Sequence, residues 1–292
     1  MSEKDIRYLS DYSRLLLLDN QGCHGLALQV LESYFHLRED FAEYAVCLVN
    51  ESILYLRKRR RVFVYSFTKD DLDIIKALQK QAMIYSTTKI EGLDNQSNFY
   101  EIVYDLDRVF DPSSYPNKKK RHSRLTYPFK WIEKNKVEVK VPSYLEVEIL
   151  HKAWVDFKLK QPNTYRIMFP TARYINCFRE AEHNGFLNYC VYGFYLDQKL
   201  VSVRVLGVDK VVAYDLANFT DTWSTPSQIA NYFDVYVLKD LHEKGFKTFN
   251  CGAQLNKNLK TFKCHYPYHE LKVYSYGKLK EKKEDENLKS IF

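Results

Sequence analysis

Glycine is scarce in this sequence: nine in 292 residues, where about 7% would be usual. They stand at Gly22, Gly25, Gly92, Gly185, Gly193, Gly207, Gly245, Gly252 and Gly277, and no two form a GxG pair. That excludes the dinucleotide fingerprint and the Walker phosphate loop, both of which need backbone to approach phosphate with no side chain in the way. The six cysteines (Cys23, Cys47, Cys177, Cys190, Cys251 and Cys264) contain no CxxC spacing. HExxH and HxE are missing too, so structural zinc, metalloprotease and zinc-deaminase chemistry have no ligand set, and no metal is expected. The GxSxG nucleophile elbow is also lacking. No apolar run approaches the roughly 18 residues of a spanning helix, and the first eleven residues are too polar for a secretory signal. With cysteines in no recognisable disulfide framework, the expectation is a cytoplasmic protein with no transmembrane segment.

What is present is an ordinary core and a modest positive balance. Hydrophobic residues make up 46% and charged residues 28%; 44 Lys plus Arg face 37 Asp plus Glu, a net charge of +7. At about 150 residues per domain, the length predicts two domains or one large one.

Gly22 to Phe35 has the spacing of an amphipathic helix, and 44–49, 52–56 and 62–67 read as an antiparallel meander. Thr68 with Asp70 and Asp71 starts a helix whose stripe is Leu72, Ile75, Leu78 and Ile84. The stretch 99–106 is a strand. From Asp111 to Lys134, three prolines and seven cations predict an irregular, extended basic connector. The second half repeats the grammar. Helices are predicted at 144–159, behind Ser143, and at 170–183. A hairpin follows at 189–208, then a strand at 211–218. Ser224-Thr225-Pro226 opens a helix that Gly245 closes. A strand at 248–251, a short helix at 255–263 and a strand at 271–276 complete the order. The domains expected are 1–110, a connector at 111–134, 135–280 and a charged tail at 281–292. The fold class expected is α+β, each domain a mixed, mostly antiparallel sheet flanked by helices.

Two segments carry a family resemblance. One is Tyr104-Asp105-Leu106 followed by KKKRHSRLTYPFKWI from Lys118 to Ile132. The other is FNCGAQLNKNLKTFKCHYPYHELKVYSY from Phe249 to Tyr276, with Asn256, Leu259, Phe262 and Lys263 forming an N-x-x-L-x-x-F-K element. Together they resemble tandem acetyltransferase-like (GNAT) proteins related to the C-terminal domain of lysylphosphatidylglycerol synthetase and to Fem-type aminoacyl ligases. The resemblance implies tandem GNAT-like domains that transfer an acyl or aminoacyl group, from coenzyme A or aminoacyl-tRNA, to an amine or hydroxyl. It places donor binding on Ser224, Thr225, Ser227, Asn256 and Lys263. The usual coenzyme A pyrophosphate loop should fall in TDTWSTPSQ, which has no glycine. The hydroxyls there read equally as a plain helix cap, so aminoacyl-tRNA gains as donor.

For the chemistry, Asp215 in AYDLAN stands on the strand where this fold class places its site and is the candidate proton acceptor. Tyr236, one turn after Tyr232, is the candidate proton donor; in a chain with 24 tyrosines, core packing is its competing explanation. Two basic clusters point to a polyanion: Arg57, Arg59, Arg60 and Arg61 on a hairpin tip, and Lys119, Arg121, Arg124 and Lys130 interleaved with aromatics in the connector. Solvated loops are the alternative. Nucleic acid, tRNA or DNA, is the expected partner, with anionic lipid behind it. Phage proteins that decorate DNA bases share the fold class, which adds a nucleobase to the candidate acceptors. The rival function is a non-catalytic nucleic-acid-binding protein that kept the fold.

Overall fold

The computed structural model describes residues 4–5, 44–49, 53–58, 61–160, 171–183, 185–209, 211–226, 228–253 and 263–277. These fall into two compact units, the second holding residues 100–271. The helices expected at 22–35 and 255–263 and the tail at 281–292 lie outside the described residues.

In the first unit β1 (Lys4–Asp5), β2 (Tyr44–Val49), β3 (Ile53–Lys58) and β4 (Arg61–Ser66) pair antiparallel in sequence. Helix α1 (Leu72–Gln79) then carries the chain to β5 (Met83–Ser86), which pairs parallel to β4. The last partner is antiparallel: Tyr274 to Tyr276 of β12 (Tyr268–Tyr276) lie against Ile84 to Ser86. Thr68 and Asp71 close a reciprocal capping box at the helical start, as their spacing predicts. Ile84 was expected on the same helical stripe. It is instead a strand residue, because the chain turns at 80–82 and Ile84 is fully buried beside Val62, Ile75 and Tyr276.

The second unit repeats this succession. Strands β7 (Glu138–Lys140), β8 (Tyr189–Leu196), β9 (Lys199–Asp209) and β10 (Val212–Thr220) pair antiparallel. Helix α7 (Ile229–Glu243) crosses to β11 (Thr248–Ala253), which runs parallel to β10. The final antiparallel partner again comes from a remote stretch, here β6 (Gln96–Asp105). Each unit is therefore a mixed, mostly antiparallel α+β sheet, and its closing strand is drawn from the far side of the sequence.

One face of the second sheet is covered by α2 (Leu106–Phe110), α4 (Tyr127–Lys134) and α7, which bury Leu106, Val109, Ile132, Phe233 and Leu241 against Phe194 and Leu206. The other is covered by α5 (Tyr144–Leu159) and α6 (Thr171–His183), through Val147, Trp154 and Phe178. Ser143 caps α5 with a capping box to Glu146, and Gly245, at φ 89°, ends α7 in the left-handed conformation that suits glycine.

The basic stretch 118–134 is not extended. It is helical throughout: α3 (Lys118–Arg121), a π-helical turn over His122–Thr126, and α4. Asn117 caps its start. Pro128 sits in the first turn of α4, where a missing N–H costs little. Leu125 and Ile132 anchor the segment in the core. A second correction concerns α7, which starts at Ile229 rather than directly after Pro226.

Candidate functional site

Strands β10 and β11 are in parallel register at only three levels, ending with Tyr214 beside Asn250. Immediately beyond, both strands leave the ladder. In β10 the pairing with β9 slips between Asp215 and Ala217, so Leu216 faces no residue across the strand. In β11 the pairing with β6 slips between Asn250 and Ala253, and Gly252 takes φ 72°. Two neighbouring parallel strands that bulge at one level part, and the edge between them becomes available to a ligand.

Charged side chains converge at this parting. Arg204 of β9 is buried, with its guanidinium paired to Asp234 of α7 and lying 3.7 Å from Asp215 Oδ1. Asp215 itself is partly open, its side chain 21% exposed, the most accessible of the three. Burial pushes the Asp234 carboxyl up to about 6 against the pull of Arg204, with Asp215 adding to the rise. Burial opposes the charge on Arg204, but the carboxylates of Asp234 and Asp215 outweigh it. Cys251 is buried beside them; burial drives its thiol well up, so it is an inert thiol rather than a nucleophile.

The strand end is tied by polar contacts. Asn250 donates to buried Glu101 at 2.9 Å and accepts from the Gly252 amide at 2.7 Å. Lys263 donates to the Ala253 carbonyl at 2.9 Å and to that of Cys251. Tyr104 donates to the Lys263 carbonyl at 2.6 Å, stacks on Phe249 and meets Tyr266 edge-on.

Of the residues singled out from sequence, Asp215 and Lys263 belong to this cluster. Tyr236 does not join it: it packs edge-on to Phe194, with ring centroids 5.7 Å apart. Two residues along a helix is about 200° of rotation, so a helix that presents Asp234 to Arg204 turns Tyr236 away. Ser224 and Thr225 do not cap α7. Ser224 donates its amide at 2.9 Å and its hydroxyl to the Asp221 carboxylate, and Thr225 donates to the Asp221 carbonyl. Buried Asp221 also accepts from Lys199 at 3.0 Å. Ser227, Asn256, Arg59 and Arg60 lie outside the described residues. Arg57 and Arg61 stand in the antiparallel pair β3 and β4, Lys58 pairing with Arg61. Lys119, Arg121 and Lys130 are exposed on the helical 118–134 segment and Arg124 is partly so.

Sequence reasoning missed Arg204, Asp234 and Glu101. Each is a lone charge inside an apolar run (VSVRVLGV, NYFDVYVL, FYEIVY), and that isolation was the available signal, because a buried charge needs a partner. Among the described residues, no group of His, Cys, Asp and Glu is placed to hold a metal ion. No helix among them is long and apolar enough to cross a membrane.

No protein-family model matches the chain, and no curated protein does. Solved structures match its fold. A conserved protein of unknown function from Bacteroides thetaiotaomicron superposes with a TM-score of 0.62 at 13% identity, covering 94% of this chain and 98% of the other. FemX gives 0.61 at 10% identity over 94% and 97%. L-PGS from Bacillus licheniformis gives 0.57 at 14% identity over 95% of each chain. The fold is therefore α+β and shared with FemX and L-PGS over nearly the whole chain.

Proposed function

We propose that this protein transfers an acyl or aminoacyl group to an amine or hydroxyl at the parting of β10 and β11. The observation that supports this most is the coincidence of that opened strand edge with a partly exposed carboxylate, Asp215, beside a buried Arg204–Asp234 pair. An extended donor chain can hydrogen-bond to the edge of β10, with its carbonyl carbon presented near Asp215. The acceptor attacks that carbon as its proton passes to Asp215; the donor's ester or thioester bond then breaks, and the leaving alkoxide or thiolate takes that proton back from Asp215, which regenerates the carboxylate. Arg204 fixes Asp215 and supplies positive charge close to the oxyanion that develops.

The donor is an aminoacyl-tRNA or an acyl-coenzyme A. The segment that would cradle a coenzyme pyrophosphate is folded onto Asp221, with Ser224 and Thr225 already committed, which favours the tRNA ester. The exposed basic helix bearing Lys119, Arg121, Arg124 and Lys130 suits a polyanionic partner, in keeping with a nucleic-acid donor or acceptor. The second reading, a binding module without chemistry, rests on the same helix. Mass spectrometry of nucleosides, tRNA and small amines from cells expressing the protein separates the two. New acylated species that disappear with Asp215→Asn support transfer. Unchanged mass profiles combined with tight nucleic-acid binding support the module.

A further inference from the structure

Helix α5 needs one apolar face to sit on its sheet, and it has two. Val147, Leu150 and Trp154 are buried in the core beneath it. At about 3.6 residues per turn they gather on the side about 180° from Leu145. On that opposite side Leu145 is 65% exposed, Ile149 62% and Leu159 53%, and Val141, just before the helix, is 52% exposed. Apolar residues exposed singly are ordinary, but three on one stripe of one helix mark a surface that meets something. The exposed positions Leu145, Ile149, Lys152, Asp156 and Leu159 recur at steps of four and three, the spacing of a seam that packs against another helix.

The charges on this stripe specify the other helix. Glu148, Lys152, Asp156 and Lys160 alternate in sign every four residues, and all are exposed. That spacing lets side chains pair within a helix, as Lys239 with Glu243 and Lys244 with Asp240 do in α7, whereas none of these four is in an ion pair among the described residues. Two antiparallel copies of α5, related by a two-fold axis at the level of Trp154, place Lys152 opposite the partner's Asp156. The same register sets Ile149 opposite the partner's Leu159 and Glu148 opposite the partner's Lys160. Every pair recurs with the copies exchanged, as an isologous contact requires. Opposite charges then meet at the centre, an apolar layer flanks them on each side, and a second ionic pair lies at each end. A parallel pairing would set each Lys152 against its own copy and each Asp156 likewise, which like-charge repulsion opposes.

We propose that the outer face of α5 docks a second copy of this chain, the two helices packing antiparallel through Ile149, Lys152, Asp156 and Leu159. A helix of 16 residues is about 24 Å long and roughly 10–12 Å across. One such pair buries less than the roughly 1,200–2,000 Å² of a stable interface, so the dimer is weak and reversible. The inference does not depend on the transfer reading.

The test is analytical ultracentrifugation of the whole protein, 34.8 kDa as a monomer, from micromolar to submillimolar concentration. The expected result is a mass that rises with concentration toward twice the monomer. Lys152→Asp alone sets carboxylate against carboxylate at both central pairs, and Asp156→Lys alone sets ammonium against ammonium. Each should weaken dimerisation about tenfold or more. An equimolar mixture of the two variants restores opposite charges at both pairs and should dimerise like the parent, as should the double variant Lys152→Asp with Asp156→Lys. These positions are exposed, so each variant should melt with the parent when dilute, and rescue in the mixture guards against a variant that merely misfolds. A parent that stays monomeric over the whole range overturns the proposal. So does a dimer that neither single variant weakens, or one that both weaken and the mixture does not restore, since the copies would then meet in another register or through another surface.

Discussion

Asp234→Asn separates the charge of the buried pair from its packing. Asp234 is expected to titrate near 6 in the folded protein, against an ordinary 3.8, because burial outweighs the attraction of Arg204 and the charge of Asp215 adds to the rise. The sign follows from proton counting. Between pH 3.8 and 6 the folded state holds a proton on Asp234 that the unfolded state has released, so this group favours folding at low pH. That contribution is lost as pH rises through the folded value. The gap corresponds to about 3 kcal/mol, at about 1.36 kcal/mol per tenfold change in proton affinity. The groups that act on it are Arg204 and Asp215. The assay is urea denaturation of parent and variant from pH 4 to 7.5. The parent's stability relative to the variant should fall by roughly that amount up to pH 6 and then level off, whatever the constant offset from losing the ion pair. A difference curve that is flat across this window, or that rises with pH, would refute the reasoning: Asp234 would then be ionised throughout and better solvated than its burial implies.

Three further outcomes are expected. Asp215→Asn should cut turnover about 10²- to 10⁴-fold, the range for a positioned general base, with urea unfolding little changed because the side chain is partly open. Ser143→Ala removes the capping box of α5 and should cost about 1 kcal/mol by urea denaturation. If the helix 118–134 meets duplex phosphates, Arg121→Ala with Arg124→Ala should flatten the slope of log affinity against log salt by roughly two, from about 0.9 per contact, while stability moves by under about 0.5 kcal/mol because Leu125 and Ile132 still anchor the helix.

The elements easiest to read in the sequence were those where local chemistry and burial agree. Ser143 before an apolar-periodic run gave α5, and the alternating runs either side of Asp197 and Gln198 gave the β8–β9 hairpin, whose turn residues take positive φ of 49° and 65°. Where the chain was misread, a tertiary contact had overridden a local signal. Ser224 and Thr225 look like a cap, but Asp221, buried and anchored by Lys199, draws both hydroxyls away from the helix. The basic stretch looked irregular because it follows neither a 3.6-residue nor a 2-residue period. The π turn at His122–Thr126 inserts an extra step, yet Leu125 within it and Ile132 beyond it reach one core. Of the candidate site, Asp215 and Lys263 were legible through the resemblance. Arg204, Asp234 and Glu101 were not, because their meaning lies in pairs formed across 30 and 149 residues of sequence.

That separation follows from how the chain is routed. The second unit closes its sheet with β6, which precedes its other strands in sequence, and the first unit closes its own with the last residues of β12. The strand β6 supplies Glu101 to Asn250 and Tyr104 to the Lys263 carbonyl, so the parting of β10 and β11 is built from three distant stretches of sequence. A fragment beginning at Asp111 would keep Arg204, Asp215 and Asp234 yet leave the buried Asn250 amide without its carboxylate and expose the flank of β11. The unpaired polar group alone would cost about 1–3 kcal/mol, before the loss of apolar packing from Ile102 and Tyr104. In this fold the boundary of a compact unit and the boundary of a sequence half do not coincide, and the cluster at Asp215 depends on that mismatch.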